Sequence, residues 1–252
     1  SDICFDNDYF ANLALHGTYD SFNRAAASHS TRTPELTNIG SFEKCWRLKD
    51  GKWWLYKTAT SEELFSELFI YELGKRLGMR MAECRRGDHV LQSLDFTDGG
   101  AVILEHASSF MGDNDDYEAV LAALQEICPA AIPDYIRMIF LDTITANPDR
   151  HTSNFGLLRD ADTGELLGLA PLFDHNMALI SRGYPKPFDK DKKDLLITLF
   201  QDVLETHPAY RAYLPSLTKD ILQDAADAVH IRVRKKEAIA YVWKRYCALQ
   251  AE

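Results

Sequence analysis

The hydrophobic pattern is clearest in two short strand-like runs rich in aromatic residues, "FEKCWRL" at 42–48 and "KWWLYKT" at 52–58. Runs of this length and composition predict strands, and Asp50-Gly51 between them predicts a tight hairpin turn. A helical signature follows. Thr60 with Glu63 three residues on forms a capping box, and a helix is expected from there to Gly78, the residue suited to end it. "HVLQSLDF" and "GAVILEH" predict two further strands, joined by a turn at Asp98-Gly99-Gly100. Beyond residue 108 the period becomes helical in "DYEAVLAALQEIC" and "IPDYIRMIFLDTITAN". Two short apolar runs between 155 and 180 flank the turn "DADTGE"; 181–191 is a polar, proline-containing loop; from about 192 the chain is helical almost to its end. Upstream of the first strand, "DYFANLALHG" at 8–17 predicts a short helix closed by Gly17, and "SHSTRTPELTN" at 28–38 a loop.

These elements sort into two parts. A β-rich lobe with one helix is expected within 1–108, its residues 1–37 an N-terminal extension, and a mainly helical lobe within 109–252. A cleft between lobes is a usual ligand site. With 252 residues, 46% of them apolar, the chain can bury a substantial core. It has no run of 18 apolar residues and no charged-then-apolar leader pattern, so no membrane span is expected. Cys4, Cys45, Cys84, Cys128 and Cys247 are odd in number, widely spaced and form no C-x-x-C. That argues for a reducing, cytoplasmic setting over a disulfide framework or zinc ribbon. A formal charge of −10 argues against a nucleic-acid partner, and "RVRKK" at 232–236 reads as a solvated helix face.

The densest chemistry lies in "TANPDRHTSNFGLL", residues 145–158, where polar side chains crowd between two apolar pieces. Such residues cluster in ordinary turns too, because their side chains bond nearby backbone. Asp149 and Asn154 are five positions apart, however, and "PLFD" ends at Asp174 twenty residues later. Phosphoryl transfer needs a carboxylate for the attacking hydroxyl and an amide oxygen plus a second carboxylate for Mg²⁺. Asp-x₄-Asn followed by an apolar-Phe-Asp is the kinase spacing of these groups. A kinase also needs a strand lysine for the nucleotide phosphates and a helix glutamate to position it. Lys57 ends the second strand just before the helix. Glu63 is taken by the cap, which leaves Glu67 and Glu72; a helical wheel places Glu72 nearer the apolar stripe. Gly40-Ser41, leading into the first strand, could bring backbone N–H groups to phosphates. Backbone groups around Glu105–Ala107, at the exit of the small lobe, are candidates for an adenine edge.

These residues resemble the HipA-like kinase family, related in its core to phosphatidylinositol kinases and distantly to protein kinases. "NPDRHTSNFG" resembles that family's N-x-D-x-H-x-x-N-F loop, and "APLFD" its P-x-[YF]-D metal motif. In "ELFIYELGKRLGM" the family's glutamate stands eleven residues before the glycine of "LG"; counting back from Gly78 selects Glu67. The resemblance spans roughly 38–200. It implies an α+β, two-lobed protein-kinase-like fold, with Asp149 as base, Asn154 and Asp174 holding Mg²⁺, and Lys57 on the phosphates of ATP. It also implies that His151 helps hold the loop, or bonds Asp174 or a phosphate, while Arg150 either pairs with an acidic neighbour or lies at the surface. The family's phosphate-loop lysine pattern is not evident, and the chain is expected to be a minimal form lacking the toxins' extra N-terminal subdomain. The antitoxin partner is therefore not carried over. The expected activity is ATP- and Mg²⁺-dependent phosphorylation of Ser/Thr on a protein. The alternatives are a lipid or small-molecule kinase of the same fold, a nucleotide-binding pseudokinase, and a metal-dependent phosphohydrolase built on His151, Asp149, Asp174 and His175.

Overall fold

A computed structural model describes residues 44–87, 90–179 and 195–251. The helix expected at 8–17, the loop at 28–38, Gly40-Ser41 and the loop at 181–191 lie outside the described residues. Strand β1 (Lys44–Lys49) and strand β2 (Lys52–Thr58) pair antiparallel, with Lys49 opposite Lys52. The turn residues Asp50 and Gly51 have φ of 52° and 73°, the positive values that a two-residue hairpin of this hand requires. β2 continues to β4 (Val90–Leu94), and β4 to β3 (Cys84–Arg86), giving the sheet order β1-β2-β4-β3. The pattern does not predict β3, which is three residues long and buries only Cys84; that is too short for alternation to register.

Helix α1 (Ser61–Arg76) starts on the capping box, with both Thr60–Glu63 bonds formed. At its end Gly78 adopts φ 71°. The Met79 N–H bonds the Gly74 carbonyl at 2.9 Å and the Gly78 N–H bonds Lys75 at 3.0 Å, a glycine-closed C-terminus that satisfies orphan carbonyls. Its buried residues, Leu64 to Ile70 without interruption and then Leu73 and Gly74, run right round the helix. The helix is sandwiched, which is why a one-face wheel misranks its glutamates.

Strand β5 (Val102–His106) corrects the expectation that it joins the preceding strands. It edges a second sheet, β5-β6-β7, with β6 (Gly156–Asp160) and β7 (Leu166–Leu169). His106 lies opposite Gly156, and a Cβ on Gly156 would sit 2.2 Å from the Glu105 carbonyl oxygen. Only glycine allows this approach. The other α-helices among the described residues are one turn α2 (Ser108–Met111), then α3 (Tyr117–Ile127), α4 (Ile132–Thr145), α5 (Leu195–Thr206), α6 (Lys219–Asp227) and α7 (Lys235–Gln250). α4 is the central rod, with every residue from Met138 to Thr145 buried. One apolar core runs from Phe65 and Phe69 on α1 through Tyr135 and Phe140 on α4 to Leu222 and Val242. Each such side chain contributes roughly 1.5–3 kcal/mol by leaving water. Among the described residues no helix is long and apolar enough to cross a membrane.

The two sheets are stitched together where the chain leaves β7. Leu172 forms a parallel bridge with Met81. Its N–H bonds the Arg80 carbonyl at 2.8 Å, and its carbonyl accepts the Ala82 N–H at 2.9 Å. This fixes residues 173–175 against the first sheet, opposite the end of β2.

Candidate active site

Helix α4 stops at Thr145 because Ala146 turns left-handed, at φ 54°. The loop that follows is held from below. Asp142, 1% exposed on α4, accepts Arg150 Nε at 2.8 Å and Nη2 at 3.1 Å, and also Asn147 Nδ2 at 2.8 Å. The remaining Arg150 nitrogen, Nη1, donates to the carbonyls of Asn154 at 2.5 Å and Phe173 at 2.8 Å. Of the two places expected for Arg150, the surface is thereby ruled out. The guanidinium is a buried pin joining the 147–154 loop to the segment that carries Asp174. A planar fork suits this task because it meets a carboxylate bidentately and still has donors for carbonyls.

Above the pin the loop presents Asp149. Its N–H donates to Asn147 Oδ1 at 3.2 Å and its carbonyl accepts Asn154 Nδ2 at 2.8 Å. The carboxylate is half-buried and takes part in neither bond. The second bond also orients Asn154: only the amide nitrogen can donate to a carbonyl, so Oδ1 is left as an oxygen ligand. His151 is exposed, and its Nδ1 accepts the Ser153 N–H at 3.2 Å. It shapes the turn and makes no bond to Asp174.

Across the cleft, Lys57 Nζ lies 2.8 Å from Asp174 Oδ1, with side-chain exposures of 12% and 24%. Burial works to lower the Lys57 pKa, but Asp174, Glu67 and Asp149 together hold it above its ordinary value. For Asp174 burial works to raise the pKa, while Lys57, Arg150 and His175 hold it below the ordinary value. The pair is therefore ionised across the neutral range, and Asp149 lies within electrostatic reach of it. Asp174 has φ 61°, a left-handed state costly for a non-glycine residue and characteristic of functional positions.

Other expected residues divide. Glu72 is excluded as the partner of Lys57, because it pairs along its own helix with Lys75 and Arg76. Glu67 is buried and faces the site. Its hydrogen bond goes to the His175 N–H at 2.6 Å, and Lys57 makes its ion pair with Asp174 instead. The Ala107 N–H already bonds the Phe155 carbonyl at 2.9 Å, and Arg159 Nε donates to the Glu105 carboxylate at 3.1 Å. Antiparallel alternation then turns the N–H and C=O of Leu104 and His106, not those of Glu105 or Ala107, to the side of β5 away from β6, where the His106 carbonyl accepts the Ser109 hydroxyl at 2.8 Å. This shifts the adenine-edge candidates by one residue. Sequence reasoning misses Asp142, Ser66 and Lys44, places Asn147 in the loop without a partner, and gives His175 a part only in the phosphohydrolase alternative. Asp142 carried a signal, an acid inside the otherwise apolar run "MIFLDTI". Lys44 stands directly opposite Lys57 in the hairpin; burial first, then Lys57, lowers its pKa, against the pull of Asp174.

Asp174 and the Asn154 amide oxygen are hard oxygen donors, the type Mg²⁺ takes in small number beside substrate phosphates. The donor set fits that ion. A small antiparallel sheet, a sandwiched helix, a helical half and this cleft define a two-lobed, kinase-like protein. The chain belongs to the HipA-like C-terminal domain family, whose model matches residues 35–230. Among solved structures, the Helicobacter pylori proinflammatory kinase CtkA is similar with a TM-score of 0.62 and 18% identity, over 81% of this chain and 90% of that one. The HipA of a Shewanella oneidensis MR-1 toxin–antitoxin complex with HipB and operator DNA gives a TM-score of 0.46 and 16% identity, over 88% and 68%. Comparison with curated protein sequences returns no match.

Proposed function

We propose that this chain is an ATP- and Mg²⁺-dependent phosphotransferase that acts on Ser or Thr hydroxyls of a protein. The observation that carries the reading is the Lys57–Asp174 pair at 2.8 Å, which brings together residues 117 positions apart beside Asp149. A turn built only for folding has no need of such convergence. Lys57, with Lys44 opposite it, supplies positive charge for phosphate oxygens. Asp174 and Asn154 would hold Mg²⁺, which when bound neutralises charge on the phosphates. Asp149, pinned through its backbone on both sides with its carboxylate unengaged, accepts the proton of the acceptor hydroxyl. The backbone of Leu104 and His106 offers a donor and acceptor edge for adenine.

Family membership and the likeness to a structure described as a kinase support the class. The protein acceptor follows the family's resemblance. Incubation with Mg²⁺ and γ-labelled ATP, followed by mass spectrometry of the protein and of added polypeptides, tests it. Acid-stable phosphate on Ser or Thr, absent with Asp149→Asn, is expected. Label appearing only on lipid head groups would replace the acceptor class. Failure of the wild type to bind nucleotide at all would overturn the reading.

A further inference from the structure

Two adjacent polar residues of α1 bond, within the packed interior, to one short piece of backbone. Glu67, 4% exposed, accepts the His175 N–H at 2.6 Å through Oε2, and its Oε1 lies 3.5 Å from His175 Nδ1. Ser66, fully buried, places Oγ at 2.8 Å from the carbonyl of His175 and at 2.8 Å from that of Ala178. The peptides on either side of His175 are thus gripped, one by its N–H and the next by its C=O. The imidazole is 1% exposed, and its Nε2 has no hydrogen-bond partner among the described residues. The residue just ahead of this grip is Asp174, in its left-handed backbone state at φ 61°. Such a conformation persists only where its surroundings over-determine it.

We propose that Ser66 and Glu67 are positioning residues that clamp the His175 backbone, hold Asp174 in its left-handed conformation and so aim its carboxylate into the cleft. Glu67 then directs its hydrogen bond to the metal-side segment, and its influence on Lys57 is electrostatic, without an ion pair. The clamp requires an acceptor at residue 67, not a negative charge. Because both grips come from one helix turn, a shift of α1 releases them together. The role in turnover rests on the phosphotransferase reading; the clamp itself is a property of the free protein.

The test uses Glu67→Ala, Glu67→Gln and Ser66→Ala in the full chain, with two readouts. In nucleotide-free protein, hydrogen exchange of the backbone amides at 172–179 is expected to rise about tenfold or more in Glu67→Ala, less in Ser66→Ala, and little in Glu67→Gln. In calorimetry with a non-hydrolysable ATP analogue, Glu67→Ala is expected to raise the half-saturating Mg²⁺ concentration about 10-fold or more, with affinity in EDTA unchanged and Glu67→Gln near wild type. Unchanged exchange in both alanine variants overturns the clamp. Glu67→Gln losing nucleotide affinity in EDTA, as a Lys57 variant would, assigns Glu67 to Lys57 and also overturns it. Should Glu67→Ala fail to fold, Glu67→Gln and Ser66→Ala still decide. Wild-type protein that binds no nucleotide refutes the phosphotransferase reading, and the exchange data judge the clamp separately.

Discussion

The underside of the 147–154 loop and the cleft above it are each organised by a cation and a carboxylate, but the two pairs differ in what surrounds them. Arg150 and Asp142 are sealed, with side-chain exposures of 5% and 1%, and the spare donors of the guanidinium end on backbone carbonyls. Lys57 and Asp174 are 12% and 24% exposed and share a single contact. The sealed pair is a fixture: every lone pair and proton that matters is engaged, so its geometry is unique. The open pair can exchange. A compact ammonium and a carboxylate held by one bond can turn to a phosphate and a metal ion without unmaking the fold. A cation–carboxylate pair is thus structural or functional according to how many of its other valences are met.

That contrast predicts variants which lose activity without stability and others which do the reverse. The largest expected effect is in the cleft: Asp149→Asn should lower turnover about 10²–10⁴-fold, with the thermal midpoint and nucleotide affinity near wild type. A large fall in the midpoint would show that the loop depends on the Asp149 charge. Next, below the loop, Arg150→Met strands a buried carboxylate and should cost about 3–5 kcal/mol in urea denaturation. The double variant Arg150→Met with Asp142→Leu should regain most of it, since an apolar pair can replace a buried ionic one. No recovery would mean that the bonds from Arg150 to the carbonyls, not the ion pair, carry the stability. Gly156→Ala should cost about 1–3 kcal/mol by overpacking against the Glu105 carbonyl, and should loosen the β5–β6 pairing.

A smaller effect separates the two pairs by pH. The Asp174 carboxyl titrates below its ordinary 3.8 and the Lys57 ammonium above its ordinary 10.5. Their contribution to stability is therefore full between those values. It is lost as pH falls through the depressed Asp174 value, and again as pH rises through the raised Lys57 value. Denaturation midpoints across acid pH should show this limb moved toward neutrality in Lys57→Met; an unmoved limb would assign the depression to Arg150 and His175. The smallest expected effect is that of Glu72→Ala, which removes only helix-surface pairs worth about 0.2–0.5 kcal/mol each and should leave turnover unchanged.

Much of this was legible in the order of residues. The hairpin at Asp50-Gly51, the capping box at Thr60 and Glu63, the stop at Gly78 and the turn in "DADTGE" are local statements, decided by side chains a few positions apart. The candidate site was legible in part as well, because Asp149, Asn154 and Asp174 stand at a motif's spacing along the chain. The pairing of β5 was not: alternation marks a strand but not its neighbour, and here the neighbour begins at Gly156. The choice between Glu67 and Glu72 was not legible from periodicity either, because burial surrounds α1 and no single face exists for a wheel to find.

What the amino-acid order determined by itself was most of the elements, which follow from interactions within a few residues, and a short set of candidate side chains, Lys57, Asp149, Asn154 and Asp174 among them. The tertiary structure alone decided which charges are sealed and which remain exchangeable, that Lys57 meets Asp174, and that Glu67 turns to His175. Those outcomes depend on distances between segments far apart in the chain and on how much water is excluded around them, quantities that no local pattern encodes.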